Sequence, residues 1–189
     1  MVLIMDNIFA DTTYIVANIP SPVAEEIREI RRQFDPVRAN MSVEITLAGS
    51  GGIGTVLAGQ HPEKVFAEID RIAAAMQPFS AEFSSISRFP DTGICYYIIQ
   101  PPEPFVKLQR MLAESDIVFN KCPFPYIPHC TLILHEDEQE IKLRELRSLP
   151  IPDAKFMIDT ISVYRLTGEM LEPVLLHRAN FSMKLVGYT

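Results

Sequence analysis

Two short segments of the chain carry residue types that could do acid–base chemistry. One reads V-E-I-T-L around Glu44 and Thr46, and the other reads P-H-C-T-L around His129 and Thr131. In a β-strand, residues i and i+2 point to the same face, so the two polar residues of each segment are expected to project together. A polar pair on one face of an otherwise apolar strand has to be solvated, partnered or functional. Both segments are therefore candidates for a site.

The surrounding sequence predicts a repeated arrangement of strands and helices. The first half reads as β-α-β-α-β-β, with elements near 13–19, 23–33, 41–48, 62–76, 81–89 and 94–100. The second half largely repeats this order, with elements near 103–114, 129–135, 138–146, 155–166 and 174–183. Because a motif that recurs within a recurring frame is more informative than either copy alone, the pattern predicts a duplicated α+β structure. No Gly- or Ser-rich linker separates the halves, which indicates one domain.

Composition excludes several classes of protein. The net charge of −7 and pI of about 5.1 argue against binding to extended nucleic acid, which needs many basic residues. Three cysteines without a C-x-x-C pair favour a reduced, cytoplasmic setting. No apolar run approaches the ~18 residues that span a membrane. The spacing of His, Cys, Asp and Glu suggests no metal site.

The segment P-Y-I-P-H-C-T-L at 125–132 resembles a motif of the two-histidine (2H) phosphoesterases. This family includes bacterial RNA 2′,3′-cyclic phosphodiesterases, also called 2′-5′ RNA ligases, and has two H-x-T motifs on central strands of a duplicated fold. Residues 83–100, with R-F-P before a strand, are similar to the family's mid-chain pattern. The resemblance covers about 12–183. It implies duplicated β-α-β-α-β-β-type halves that form two lobes around a central cleft, within a single domain spanning 1–189.

The resemblance also implies an activity. The expected function is a phosphodiesterase without metal or cofactor, acting on 2′,3′-cyclic or 2′-5′-linked nucleotides, with a small nucleotide or an RNA end as its partner. Facing histidines would activate water and protonate the leaving oxygen, and the hydroxyls of Thr46 and Thr131 would bind phosphate oxygens. Tyr126 could stack on a base, and Arg88 could bring positive charge to a phosphate. Loop packing and a solvated arginine are the respective structural alternatives.

Glu44 stands where the family has its first histidine. A carboxylate with an ordinary pKa near 4.3 is an anion at neutral pH, so it repels a phosphodiester that an imidazolium would attract. Three interpretations stay open: an active enzyme with Glu44 as base and His129 as acid, a catalytically inactive protein that binds a nucleotide or another partner, and a site with different chemistry. Glu44 could also be a structural carboxylate paired with an arginine.

Two further signals have competing interpretations. Residues 49–54 read G-S-G-G-I-G and match the dinucleotide-binding fingerprint after a strand. The clear helix begins only near Pro62, and the frame is not a series of βαβ units, so a loop at the mouth of the cleft is favoured. A loop whose backbone N–H groups contact a phosphate is the intermediate alternative. The remaining histidines are candidates to replace the missing one, and only folded geometry decides their reach: His61, His135 and His177.

Overall fold

The computed structural model describes residues 8–134, 144–146, 148–149, 151–168 and 172–183. Four helices and eight strands have both ends there, and we number them in chain order; residues 144–146 are also helical. The helices are α1 (Val23–Phe34), α2 (Pro36–Ala39), α3 (Pro62–Ala74) and α4 (Glu103–Ala113). The strands are β1 (Thr13–Asn18), β2 (Glu44–Ala48), β3 (Phe79–Arg88), β4 (Cys95–Gln100), β5 (His129–Ile133), β6 (Phe156–Ile158), β7 (Thr160–Thr167) and β8 (Glu172–Asn180). His135 and most of the helix expected at 138–146 lie outside the described residues.

The strands form two four-stranded antiparallel sheets, ordered β2-β1-β7-β8 and β5-β4-β3-β6. Mixed helices and antiparallel sheets confirm the expected α+β class. Each sheet takes strands from both halves of the sequence, because β7 and β8 return to β1 while β3 and β4 join β5. The lobes therefore follow the sheets and not the sequence halves. Each motif strand, β2 or β5, lies at the edge of its sheet.

The two motif strands meet where the sheets adjoin. Strand β2 contacts β5, helix α1 packs on β5, and helix α4 packs on β2. Helix α1 connects two strands of the first sheet but packs on β5 of the second. Helix α4 connects two strands of the second sheet but packs on β2 of the first. This exchange brings the two motifs together although 85 residues separate Glu44 from His129 (129 − 44).

Alternation along the motif strands sorts their side chains between a core and the opposite face. Ile45 and Leu47 of β2, and Cys130 and Leu132 of β5, are fully buried in the main hydrophobic core. Glu44 and Thr46 of β2, and His129 and Thr131 of β5, alternate with them and so point away from that core. A second, smaller apolar cluster forms apart from the main core and contains Tyr14, Val16 and Tyr164, with Leu166 packed against it.

Among the described residues, no helix is long and apolar enough to cross a membrane.

Candidate active site

Glu44, the first residue of β2, is almost closed to solvent, with 3% of its surface exposed. Its Oε1 atom accepts a hydrogen bond from Nη2 of Arg38 at 3.2 Å, and both side chains of this ion pair are buried. Its Oε2 atom is buried and has no hydrogen-bond partner among the described residues. A buried charge needs such a counter-charge, so Glu44 has the arginine partner that the sequence left as one alternative.

Arg38 comes from helix α2, a short element whose position is set by Asp35. The Asp35 carboxylate accepts one hydrogen bond from the backbone N–H of Arg38 at 2.9 Å and another from the N–H of Leu134 at 3.0 Å. It thereby ties α2 to the end of strand β5. Sequence analysis missed Arg38, and its only signal was a basic residue six positions before Glu44.

His129 opens strand β5, with its imidazole half-buried. Its Nδ1 lies 2.6 Å from the carbonyl oxygen of Ile127, so Nδ1 carries the proton and donates it. In the neutral ring this leaves the lone pair on Nε2. The rings of Phe89 and Tyr96 lie with their centres 5.0 and 4.9 Å from the imidazole. The histidine is therefore held in one tautomer inside an aromatic surround.

The pKa of His129 is lowered from its ordinary value near 6.5. Burial is the largest cause, the Ile127 carbonyl acts in the opposite direction, and the positive charge of Arg38 lowers the pKa further. A lowered pKa means that the ring is neutral near pH 7. His129 is thus suited to accept a proton at Nε2. Because Arg38 affects His129 and is bonded to Glu44, the two motifs share one electrostatic environment.

The two motif threonines differ in exposure. Thr131 is buried and pairs with Tyr96 of the neighbouring strand, whereas Thr46 is half-buried and pairs with Val16. The Thr46 methyl lies 2.6 Å from the position that a Cβ would occupy at Gly49, so a larger residue there would require the Thr46 side chain to shift. By strand alternation, each threonine shares a face with the ionisable residue of its own motif. Their role as phosphate ligands stays a prediction.

Several buried polar groups gather around Glu44. The hydroxyls of Tyr14 and Ser42, and Nε of Arg38, have no hydrogen-bond partner within the described part of the chain. The pKa of Tyr14 is raised to about 12, first by burial and next by the negative charge of Glu44, while the charge of Arg38 acts to lower it. Tyr14 is therefore a protonated hydroxyl close to the Glu44 carboxylate.

Arg31 is the largest of the fully buried side chains. Its Nε and Nη2 donate to the Thr131 carbonyl at 3.1 and 2.7 Å, and its Nη1 donates to the Ser42 carbonyl at 2.9 Å. Ser42 lies two residues before Glu44, so one guanidinium joins the backbones of both motif segments. Burial lowers the pKa of Arg31 from its ordinary value, whereas the negative charge of Glu44 acts in the opposite direction.

The two residues expected to bind substrate lie in different surroundings. Tyr126 packs against Gly52: its Cβ lies 3.0 Å from where a Cβ at Gly52 would stand, and its hydroxyl is buried without a partner among the described residues. Burial raises the Tyr126 pKa. Arg88 is exposed. The residue before it, Ser87, pairs with Tyr96, which in turn pairs with Thr131, so Ser87 lies on the face of the motif threonine. Alternation turns Arg88 to the opposite face, so the structure does not bring it to the site.

Neither His61 nor His177 substitutes for the first motif histidine. His61 immediately precedes helix α3 and lines a surface depression of about 500 Å³ that includes Lys64 and Asp116. His177 stacks on Phe66 of α3 at 4.6 Å and lies 2.8 Å from an Asp70 carboxylate oxygen. Both therefore belong to the surroundings of α3. His135 is outside the described residues.

The glycine-rich loop packs against the loop before β5. The Gly52 N–H donates to the Phe124 carbonyl at 2.9 Å, and the Cys122 thiol contacts the Ser50 carbonyl at 3.2 Å. At Gly54, with φ of +90°, a Cβ would lie 1.8 Å from the Asn120 carbonyl oxygen. Helix α3 begins eight residues later (62 − 54), and both sheets are antiparallel. The loop joins two segments and lacks the strand–turn–helix context of a dinucleotide site.

One further cation shares the face of the Thr46 side chain. Thr46, Val16, Ser162 and Arg178 form a row of paired residues across β2, β1, β7 and β8. The Arg178 guanidinium donates to the Ser162 hydroxyl at 3.2 Å and to the Tyr164 hydroxyl at 3.4 Å. No carboxylate pairs with it among the described residues. Sequence reasoning missed it because strand pairing alone brings β8 to this sheet.

No group of three or more His, Cys, Asp or Glu residues in the described ranges is arranged to hold a metal ion.

Two curled antiparallel sheets, each presenting a polar motif on the edge strand that adjoins the other sheet, define the fold class of the 2H phosphoesterases. The chain belongs to the 2′-5′ RNA ligase superfamily, whose family model matches residues 19–169. This match confirms the resemblance carried by the motifs. A comparison with curated protein sequences gives no match.

Solved structures share the same architecture. Escherichia coli LigT complexed with 3′-AMP is 18% identical with a TM-score of 0.62, and LigT complexed with NADP+ is 15% identical with a TM-score of 0.64; each comparison covers 92% of this chain and 99% of LigT. The Thermus thermophilus protein TT0787 is 17% identical with a TM-score of 0.60, covering 90% of this chain and 97% of the other. At these identities the likeness establishes the fold alone.

Proposed function

We propose that the protein is a metal-independent phosphodiesterase acting on 2′,3′-cyclic or 2′-5′-linked nucleotides. Family and fold support a function of the phosphoesterase or ligase type. The observation that carries the finer proposal is the hydrogen bond from His129 Nδ1 to the Ile127 carbonyl, which leaves Nε2 as a proton acceptor in a neutral ring. A small nucleotide is the proposed ligand, in keeping with the LigT complexes with 3′-AMP and ATP. A cytoplasmic location stays a prediction from cysteine usage.

The proposed reaction follows from these positions. His129 Nε2 accepts a proton from water as the water oxygen attacks phosphorus, and the bond from phosphorus to one ribose oxygen breaks. The hydroxyls of Thr46 and Thr131 donate to the non-bridging oxygens. This assigns His129 the role of base, whereas the sequence suggested Glu44 for it. A carboxylate bonded to Arg38 is poorly placed to move protons, so the leaving oxygen is protonated by water, and the hydroxide formed takes the proton back from His129.

Because this proposal assigns protonation of the leaving oxygen to water and to no side chain of the described residues, it predicts slow turnover. General acid catalysis contributes about 10²–10⁴-fold to such reactions, and an enzyme that relies on water forgoes that factor. The same observation favours the second candidate, a catalytically inactive protein that binds a nucleotide or another partner. In that case the buried Glu44–Arg38 pair would serve binding alone.

Hydrolysis of a panel of 2′,3′-cyclic nucleotides and 2′-5′-linked dinucleotides, without added metal, tests the proposal. The variants are His129→Ala, Glu44→Ala and Glu44→His, with His61→Ala as a histidine control outside the site. We expect slow wild-type turnover that His129→Ala abolishes and His61→Ala preserves. No wild-type turnover, with activity appearing in Glu44→His, would instead establish an inactive protein that retains a phosphate cleft.

A further inference from the structure

We propose that Arg38 brings to the substrate phosphate the positive charge that the absent first histidine would have supplied, and that Glu44 anchors Arg38. The inference rests on the proposed function, since it concerns the same phosphate site. Under this proposal, the glutamate that stands where the family has its first histidine positions a cation and does not activate water.

The charges of the site require such a cation. Glu44 is a buried carboxylate on the motif strand, and by itself it would repel a phosphodiester anion. Its ion pair with Arg38 cancels this charge at a distance of 3.2 Å. Because the other motif residue, His129, is neutral, Arg38 is the cation in direct contact with the motif carboxylate, and it offsets the repulsion of an anion.

The guanidinium of Arg38 has N–H donors that no strong acceptor of the described residues satisfies. Only one strong acceptor contacts it among the described residues, Oε1 of Glu44; Nη1 lies 3.4 Å from the Met41 sulfur, a weak acceptor. Its Nε is buried and unpartnered although the side chain is 10% exposed. Arg31 differs, because carbonyl groups of Thr131 and Ser42 take up its donors. Arg38 is thus built to accept a further anionic partner, whereas Arg31 is structural.

The backbone of Arg38 is fixed relative to the strand that carries His129. Asp35 bonds both the Arg38 N–H and the Leu134 N–H, and Leu134 directly follows strand β5. Arg38 therefore cannot move independently of β5 without breaking a buried hydrogen bond. A donor held in place before the substrate arrives stabilises developing charge without reorganisation.

The coupling between Arg38 and His129 offers a test that does not depend on turnover. Because the Arg38 charge lowers the pKa of His129, neutralising Arg38 raises that pKa, which NMR titration of the imidazole follows directly. Binding of inorganic phosphate, measured by calorimetry and by the same imidazole signals, reports the proposed contact. The variants are Arg38→Gln, Arg38→Lys and the double variant Arg38→Gln/Glu44→Gln. Arg32→Gln is the matched control, since Arg32 is exposed and paired with Glu29.

We expect Arg38→Gln to weaken phosphate binding by about tenfold or more, the range that loss of a charge-assisted hydrogen bond produces. Arg38→Lys should retain most of the binding, and Arg32→Gln all of it. The double variant leaves no unpaired buried charge, so it should fold even where Arg38→Gln does not, and it should bind phosphate as weakly.

Wild-type affinity in the double variant would overturn the inference, and so would a wild-type protein that binds no phosphate. Failure of the proposed function is distinguishable, because it would leave Arg38-dependent phosphate binding intact while no nucleotide is hydrolysed.

Discussion

Arg31 donates two hydrogen bonds to the backbone carbonyl of Thr131, one hundred residues further along the chain. A third bond from the same guanidinium reaches the segment that leads into Glu44. The spacing between the two motif strands is therefore set by one buried side chain in addition to the packing of α1 on β5. This is a structural use of arginine, since its fork of donors can satisfy several backbone carbonyls at once.

Replacing Arg31 by methionine should lower the free energy of unfolding by about 3 kcal/mol, because buried carbonyls lose charge-assisted hydrogen bonds while the apolar stem is kept. Urea denaturation measures the change. Arg28→Met is the control: Arg28 is a partly exposed residue of the same helix, paired with Glu25, and its loss should have little effect. Equal stability of the Arg31 and Arg28 variants would contradict the structural role.

The pH dependence of hydrolysis should identify the role of His129. A base must be deprotonated, and the pKa of His129 lies below 6.5, so kcat/KM should be flat near neutral pH and fall as the solution is acidified through that pKa. Folding stability should decrease in the same window, from pH 6.5 down to the lowered pKa, because the unfolded state binds the proton more readily. Activity that increases on acidification would instead assign His129 as the acid.

Two substitutions at Glu44 should separate an anchor from a base. Glu44→Gln keeps an acceptor for Arg38 and removes a negative charge, so we expect turnover to persist and KM for a cyclic nucleotide to fall. Glu44→Ala leaves Arg38 without its anchor, so KM should rise. Steady-state kinetics of both variants provide the measurement. A loss of about 10²-fold or more in kcat for Glu44→Gln would show that the carboxylate itself transfers a proton.

Arg178 should contribute to the binding of substrates that carry a second phosphate. Strands β8 and β2 lie three strand spacings apart in the first sheet, about 14 Å between their backbones. Arg178 and Thr46 are therefore too far apart to bind the same phosphate group. Arg178→Gln should weaken binding of a 5′-phosphorylated 2′-5′ dinucleotide and leave binding of inorganic phosphate unchanged. Arg165→Gln, on the opposite face of β7 and near Asp11, is the control. Equal effects of both variants would exclude a specific role for Arg178.

Gly54 and Gly59 should respond differently to alanine. Both have positive φ, +90° and +83°, so each substitution carries backbone strain of about 1–2 kcal/mol. At Gly54 the new Cβ would also meet the Asn120 carbonyl at 1.8 Å, while at Gly59 nothing lies within 4 Å. Thermal unfolding should therefore show a much larger loss for Gly54→Ala. Similar losses would mean that the contact between the two loops adds nothing.

The sequence by itself determined the motif strands and the class of fold. Alternation of apolar and polar residues assigned Ile45 and Leu47 to the core and Glu44 to the opposite face, because side chains on a strand alternate whatever the partner strand is. The repeated x-[Glu/His]-x-Thr-Leu pattern marked the two segments that the structure brings together. These features depend on local periodicity, which is readable along the chain.

Tertiary structure alone decided which groups the motif residues meet. The return of β7 and β8 to the first sheet depends on strand pairing over long sequence separations, and it brings Arg178 to the face of Thr46 while Arg88 turns away. The Glu44–Arg38 ion pair requires a chain reversal whose geometry no local pattern specifies. The groups that a buried charge contacts depend on where distant segments lie in the folded chain. The surroundings that lower the pKa of His129, and the arginine that pairs with Glu44, are therefore in place only once the two sheets have packed against each other.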